Sequence, residues 1–464
     1  MVSNVSFMLP KDVSLADFRT GVRFDASQVN SFVPFEHGKA IFGGFFGDEG
    51  KGKEVDITAD AYKQMGLKIL SIRGQGSGNA GHTVVVEGKK YDFHYLTSAG
   101  LLADIMLLGP GMLIDPIRVL EEAKKLPEEQ RKIIMVAERA TVVTNLDRKM
   151  DKWCENQRTN NGQGTIGTTG SGVGPGYGNQ GYRVHLTFAD AKRCITPKEL
   201  KAAILKNPLY PEVVRKEMTD DYAKDLFEAI NAINVVDSVD VVSKCRTEGN
   251  WAVLLEVSQA VCLDRLFGNG GHFVTSSSCT DMGGAVGAGL TYHDFSDGST
   301  MVLKAYGSKV GGGPYITKFS EDEMHIDKFI DDMVGEHGVT TGRKRGLGWF
   351  DGPAVRHSIA LTGADICINC MDVIAELHKV TPYVKVCFAY KNIYTGEITY
   401  NWPYTLSDYR PLYLTMTLTG KTKSQIIRDY ILLVEAVIGK KISGYGVGPS
   451  REGYRGRTEA FCIG

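Results

Sequence analysis

Short apolar runs separated by polar stretches recur along this chain, and their lengths decide what they can form. Residues 40–42, 68–72, 105–108, 132–136, 251–256, 366–369 and 384–390 are each too short for a buried helix and predict buried strands. Helical signals lie between them. Asp115-Pro116 offers a cap and a proline at the first position of a helix that carries Ile117, Leu120 and Leu126 on one side. Residues 196–199 read as a capping box, the region from there to Lys244 is predominantly helical, and residues 422–439 predict a capped amphipathic helix. Residues 84–95 alternate on both sides of Glu87-Gly88, as a hairpin does. The β-α-β alternation makes the fold class α/β: a large, mostly parallel central sheet flanked by helices, with small antiparallel insertions and a helical insertion around 196–244 outside the sheet. Residues 1–38 show no period and predict an N-terminal extension; residues 39–464 predict one domain.

The glycines between these elements bring in chemistry. Run 40–42 ends in Gly43-Gly44, and Gly47, Gly50 and Gly52 follow with Lys51 and Lys53 interleaved. Glycines let successive backbone N–H groups converge on one anion, a helix starting there adds its positive end, and lysine adds mobile charge. Residues 47–53 fit the first seven positions of the phosphate-loop pattern G-x-x-x-x-G-K, but Glu54 stands where Ser or Thr would ligate magnesium. Asp48, inside the loop, becomes the candidate ligand. A second glycine loop, RGQGSGNAGHT at 73–83, places Asn79, His82 and Thr83 at a strand end beside the first. A third glycine-rich stretch, 160–181, carries Thr165, Thr168 and Thr169 and reads as a loop gripping phosphate or ribose.

Composition narrows the partners. A net charge of −1, from 53 basic and 54 acidic residues among 464, argues against a general nucleic-acid or membrane surface and confines anion binding to local sites. No apolar run reaches the roughly 20 residues that span a bilayer, and the N-terminus has neither a basic start nor an apolar core, so a soluble cytoplasmic protein is expected. Nine cysteines scattered through apolar runs predict reduced thiols; Cys367 and Cys370 form a single C-x-x-C with no second ligand pair, which reads as two packed thiols.

GDEGKGK at 47–53 together with NAGHT at 79–83 resembles the adenylosuccinate synthetase family. GTTG at 167–170 with GPGY at 174–177, VTSS at 274–277, LKAY at 303–306, VGGGP at 310–314 and TTGRKRGLGW at 340–349 come in that family's order. The resemblance implies a magnesium-dependent carbon–nitrogen ligase, homodimeric, that joins L-aspartate to IMP with GTP through 6-phosphoryl-IMP in AMP synthesis. It makes Asp48 the base that takes the N1 proton of hypoxanthine and, with the backbone carbonyl of Gly81, a magnesium ligand; it makes His82 the donor toward the β–γ bridging oxygen. For the triphosphate it implies Gly47, Asp48, Glu49, Gly50, Lys51, Gly52 and Lys53, then Gly81, His82 and Thr83, then Arg345, Asp372, Gly446, Val447 and Gly448. The purine monophosphate falls to Asp48, Lys51, Asn79, His82, Thr169, Gln259, Thr275 and Arg343. Aspartate falls to Val339, Thr340, Thr341, Gly342, Arg343, Lys344 and Arg345, where guanidinium forks suit two carboxylates.

The chain also departs from the family pattern. Asn369-Cys370-Met371-Asp372 stands where the family reads Thr-Lys-Leu-Asp; Asp372 keeps the carboxylate for a guanine edge, but the lysine is gone and ATP stays open beside GTP. Ser171 and Gln180 stand where the family has arginines, the segment 177–183 is short, and Arg183 is the available substitute. GVGPS at 446–450 replaces Ser-Thr-Gly-Pro-Asp. A phage-type relative joining aspartate to dGMP with ATP is therefore an alternative. So are a nucleotide-binding paralogue without catalysis, against which Asp48, Lys51, His82, Arg343 and Arg345 argue, and a plain NTPase, against which Glu54 argues.

Overall fold

Side-chain alternation places His37–Gly43 (β1) at the centre of the molecule: Ala40 and Phe42 enter one apolar core and Ile41 the other. The same division runs along Trp251–Ala260, where Val253, Leu255 and Val257 face the first core and Ala252 and Leu254 the second. A strand apolar on both faces needs cover on both, and helices supply it.

The main sheet has ten strands, numbered here in chain order: β1, Lys68–Arg73 (β2), Ile105–Leu108 (β3), Ile134–Ala137 (β4), Val235–Val236 (β5), Trp251–Ala260 (β6), Ser299–Lys304 (β7), Asp365–Asn369 (β8), Gly444–Gly446 (β9) and Tyr454–Gly456 (β10). Their spatial order is β10-β9-β8-β7-β1-β6-β2-β3-β4-β5, and every pairing is parallel except β9 with β10. Small sheets accompany it, among them the hairpin His82–Val86 with Lys89–Phe93 and the strand Tyr383–Asn392 paired with Tyr409–Thr417. The expected α/β class, mostly parallel with antiparallel additions, is what forms.

The computed structural model describes residues 32–462 apart from 87, 271, 310 and 339–341. Most of the expected extension 1–38 thus lies outside the described residues, and residues from Phe35 onward make one compact unit, distinct from Met1–Pro34.

Three local readings need correction. Residues 160–181 are not loop throughout: Asn145–Asn160 and Val173–Gly181 are helices, the second held by Val173 packing with Leu113 and Val143 and by Asn179 donating to Asp147 (2.9 Å). The strand expected at 132–136 begins at Ile134, because Glu128–Lys132 closes a helical turn. The helical insertion is not wholly outside the sheet, since its β-branched pair Val235–Val236 supplies the edge strand beside β4.

In such a sheet the loops at the carboxyl ends of the strands face one edge, and ligands bind where the strand order reverses. Here the chain leaves β1 toward β2 on one side and has β7 and β8 on the other. The glycine loops after β1 and β2, Gln259 in β6, Lys304 of β7 and Asn369 of β8 all fall at that edge.

Candidate active site

The first loop is shaped by its own acid. Glu49 Oε1 accepts from the backbone N–H of Phe45 (3.1 Å) and Gly47 (2.7 Å), while Lys51 Nζ donates to the Gly47 carbonyl (2.9 Å) and Glu49 Oε2 (3.0 Å). Both side chains are buried, so Glu49 and Lys51 brace the loop from within. Gly50 takes φ +82° to start the helix Lys51–Gln64, and a Cβ there would sit 2.9 Å from Asn369 Nδ2. Asn369 in turn donates to the Glu49 carbonyl (2.9 Å), tying the loop to the end of β8.

The second loop lies against the first: a Cβ on Gly52 would be 2.9 Å from the Thr83 carbonyl. His82 is buried at the start of the hairpin, its Nδ1 donating to Glu256 of β6, while its Nε2 is buried with no hydrogen-bond partner among the described residues. Ser98 also donates to Glu256 through its N–H (2.7 Å) and hydroxyl (2.6 Å). Burial pushes the Glu256 carboxyl up, but His82, the Arg73 guanidinium and Ser98 outweigh it and hold it at about 2. Burial likewise lowers the His82 imidazole, with Glu256 opposing. The result is an imidazole pinned on one nitrogen, with the other bare.

Between the loops and the helix Asn145–Asn160 opens a cavity of about 530 Å³. Of the expected site residues it brings together Gly47, Asp48, Asn79, Gly81, Thr169, Gln259, Thr275, Arg343 and Arg345. Gln259 holds a left-handed backbone (φ +61°) rare for a residue with a Cβ, and its amide Nε2 is buried without a partner among the described residues. Thr169 donates to Ser171 (3.0 Å), and Arg343 donates to the Gly167 carbonyl (3.1 Å). Arg158, whose Nε is likewise unpartnered, also lines this cavity.

Asp48, 29% exposed, is gripped on one oxygen only: Oδ2 meets Lys304 Nζ at 3.3 Å and the Arg345 guanidinium, while Oδ1 makes no hydrogen bond among the described residues. Both cations also reach Glu336, Lys304 at 2.6 Å and Arg345 at 3.0 Å.

The remaining expected residues that the structure describes lie outside the cavity lining. Lys344 pairs with Asp327 (2.8 Å) and Asp331 (3.5 Å), Gly342 is exposed, and Val339, Thr340 and Thr341 lie outside the described residues. At the other end of the first loop, Lys53 Nζ donates to the Gly448 carbonyl (3.0 Å); burial lowers its pKa, and Asp372 is among the acids opposing. Gly446 ends β9 and Val447 and Gly448 follow it, fastened to the helix Lys51–Gln64 by Arg451, which bonds Asp56 (2.8 and 2.9 Å) and Asp60 (2.7 Å).

The sequence profile of the adenylosuccinate synthetase family matches residues 40–455. The chain belongs to that family. The adenylosuccinate synthetase of Bacillus cereus is 32% identical over 432 residues, covering 89% of this chain and 96% of that protein. The fully ligated adenylosuccinate synthetase of Plasmodium falciparum superposes with a TM-score of 0.79 at 27% identity, over 90% of this chain and 98% of that one. Cyanophage S-2L succinoaminodeoxyadenylate synthetase, solved with dGMP and dATP as an energy donor, gives a TM-score of 0.57 at 18% identity over 91% and 96% of the two chains, a likeness of fold alone. Adenylosuccinate synthetases are carbon–nitrogen ligases, and this chain is one of that class. No helix among the described residues is long and apolar enough to cross a membrane.

The adenylosuccinate synthetase motifs point to Asp48 and His82 but not to the groups that hold them. Glu256 could have been suspected as the one carboxylate in a strand buried along its whole length, and Lys304 from LKAY. Nothing local marks Arg73 or Glu336. Gln180 turns to Thr141 Oγ1 (2.8 Å), and Arg183, the available substitute, is exposed at φ +60° and does not line the cavity.

Proposed function

We propose that this protein joins L-aspartate to IMP at the expense of GTP, through 6-phosphoryl-IMP, in the route to AMP. The observation that carries the reading is Asp48 in the cavity wall, one oxygen held by two cations and the other without a hydrogen bond among the described residues, with Arg343 and Arg345 lining the same space. Asp48 Oδ1 takes the N1 proton of the hypoxanthine, and the 6-oxygen, now carrying the negative charge, attacks the γ-phosphorus as the bond to the GDP oxygen breaks. His82 Nε2 is the uncommitted group for the bridging oxygen of the departing diphosphate. An anion arriving there favours the imidazolium, with Nδ1 already fixed on Glu256. The amine of aspartate then attacks C6, and inorganic phosphate leaves with the former 6-oxygen. Arg343 and Arg345 are the forks for the carboxylates of aspartate.

Asp48 and Gly81 share the cavity lining, and no cluster of three acidic, His or Cys ligands exists among the described residues. That donor set fits magnesium held largely by substrate phosphates and water. Bound there, the ion offsets charge on the transferring phosphoryl group.

Cys370, in place of a lysine beside Asp372, favours a second reading in which ATP is the donor and dGMP the acceptor. Phosphate release from GTP or ATP, with IMP, dGMP or GMP, and with and without aspartate, separates the two. Release only with GTP, IMP and aspartate together is expected; release without any monophosphate would mean a simple NTPase.

A further inference from the structure

Lys304 ends β7, and Tyr306 and Ser308 follow it through a bend at 305–306 into the short strand Gly307–Lys309. All three converge on one carboxylate. Glu336 accepts from Lys304 Nζ at 2.6 Å, from the Tyr306 hydroxyl and from Ser308 Oγ at 3.0 Å, and Arg345 completes the set at 3.0 Å. Glu336 is 1% exposed and is absent from the cavity lining, so it touches no substrate directly. Its two cations do not stop there: each continues to the same oxygen of Asp48.

Two acids and two bases thus alternate in a closed ring. Stability alone is a weak reason for such a ring, because apolar residues of equal volume generally serve as well as buried ion pairs. Geometry gives a better reason. A lysine ammonium on four rotatable carbons has no fixed direction of its own, and Glu336 supplies one. With Lys304 and Arg345 both held from behind, Asp48 is gripped at Oδ2, and Oδ1 is left for the reacting edge.

The geometry points to Glu336 as a positioning residue for the phosphoryl-transfer step: it fixes Lys304 and Arg345 so that they orient the Asp48 carboxylate, while making no contact with substrate itself. The inference rests on the reading of Asp48 as the base. The backbone N–H of Arg345 also donates to the Glu336 carbonyl (2.9 Å), so Glu336 holds Arg345 by backbone as well as side chain.

The test is steady-state kinetics on the full chain bearing Glu336→Gln, Glu336→Asp or Lys304→Met, with GTP, IMP and aspartate. Misplacing a catalytic group by about 1 Å costs roughly 100-fold. Glu336→Gln and Lys304→Met are therefore expected to lose roughly 100-fold in kcat with KM for IMP and GTP within about threefold, and Glu336→Asp to recover at least a tenth of parental kcat. Parental kcat in Lys304→Met, or parallel rises in all KM values in Glu336→Gln, overturns the role. Lys304→Met also covers the case in which Glu336→Gln fails to fold. A second arm needs no activity: crystal structures of parent and Glu336→Gln without ligands. Loss of either cation from Asp48 in the variant supports the role, and both contacts persisting overturns it, even if the parental chain proves inactive with IMP and the proposed reaction falls.

Discussion

Replacing Asp48 by Asn keeps the shape of the loop and removes a single negative charge, so its consequences can be worked through group by group. In the parent, Lys304 and Arg345 share two carboxylates, Asp48 and Glu336; in the variant they share Glu336 alone. One hydrogen bond to a charged donor survives, because the amide oxygen still accepts. The loss in stability is then about 1.5–3 kcal/mol, the range for one charge-assisted bond. Catalysis loses more. An amide cannot take the N1 proton, and a positioned general base contributes about 100- to 10,000-fold, or about 3–5 kcal/mol in the barrier. Triphosphate binding, by contrast, should survive in the absence of magnesium, since the lost charge is one that repels phosphate. Ligase turnover by a coupled phosphate assay and triphosphate affinity by calorimetry test the two halves separately. Turnover above about a tenth of parental in Asp48→Asn would refute Asp48 as the base, whatever its geometry.

Other perturbations probe the rest of the site. Glu256 is ordinarily an acid of pKa 4.5 but is held at about 2 in the fold, so it contributes stability that is present above about 4.5 and is lost as pH falls toward 2. Chemical melts of Glu256→Gln should lack that acid-side loss, and a variant with the parental slope between pH 4.5 and 2 would mean Glu256 is not ionised in the fold. Arg343→Leu should raise KM for aspartate far more than that for the monophosphate; equal rises would remove Arg343 from aspartate binding. Arg158→Ala removes from the cavity wall a cation whose Nε has no partner among the described residues; it should raise KM for the monophosphate about 10-fold with kcat nearly unchanged, the cost of one charge-assisted contact, and an unchanged KM would place the phosphate elsewhere.

How much of this was legible in the residues depends on the range of the forces involved. The strand–glycine–helix start at 40–56 is a local pattern, and it forms where expected. The hairpin around Glu87-Gly88 and the helix Lys423–Ile438 are local too. The helix Val173–Gly181 is not: four of its nine residues are glycine, and intrinsic preference argues against it. Packing on Leu113 and the Asp147–Asn179 bond override that preference. The site divides in the same way. Phosphate-binding loops announce themselves by spacing, but the Glu256 carboxylate reaches His82 across 174 residues and Glu336 reaches Lys304 across 32. No period in the sequence carries those separations, so such supporting charges surface only when the sheet is assembled.

Arg451 grips Asp56 from 395 positions downstream, so the helix that follows the β1 loop is buttoned down by a residue made long after it. At about 5–20 residues per second, a ribosome needs roughly 20–80 s to travel between them. Late in that interval, once Trp251–Ala260 and Ser299–Lys304 have been made, a nascent molecule can pair β1 on both sides and still lack this clasp on the helix that follows the first glycine loop.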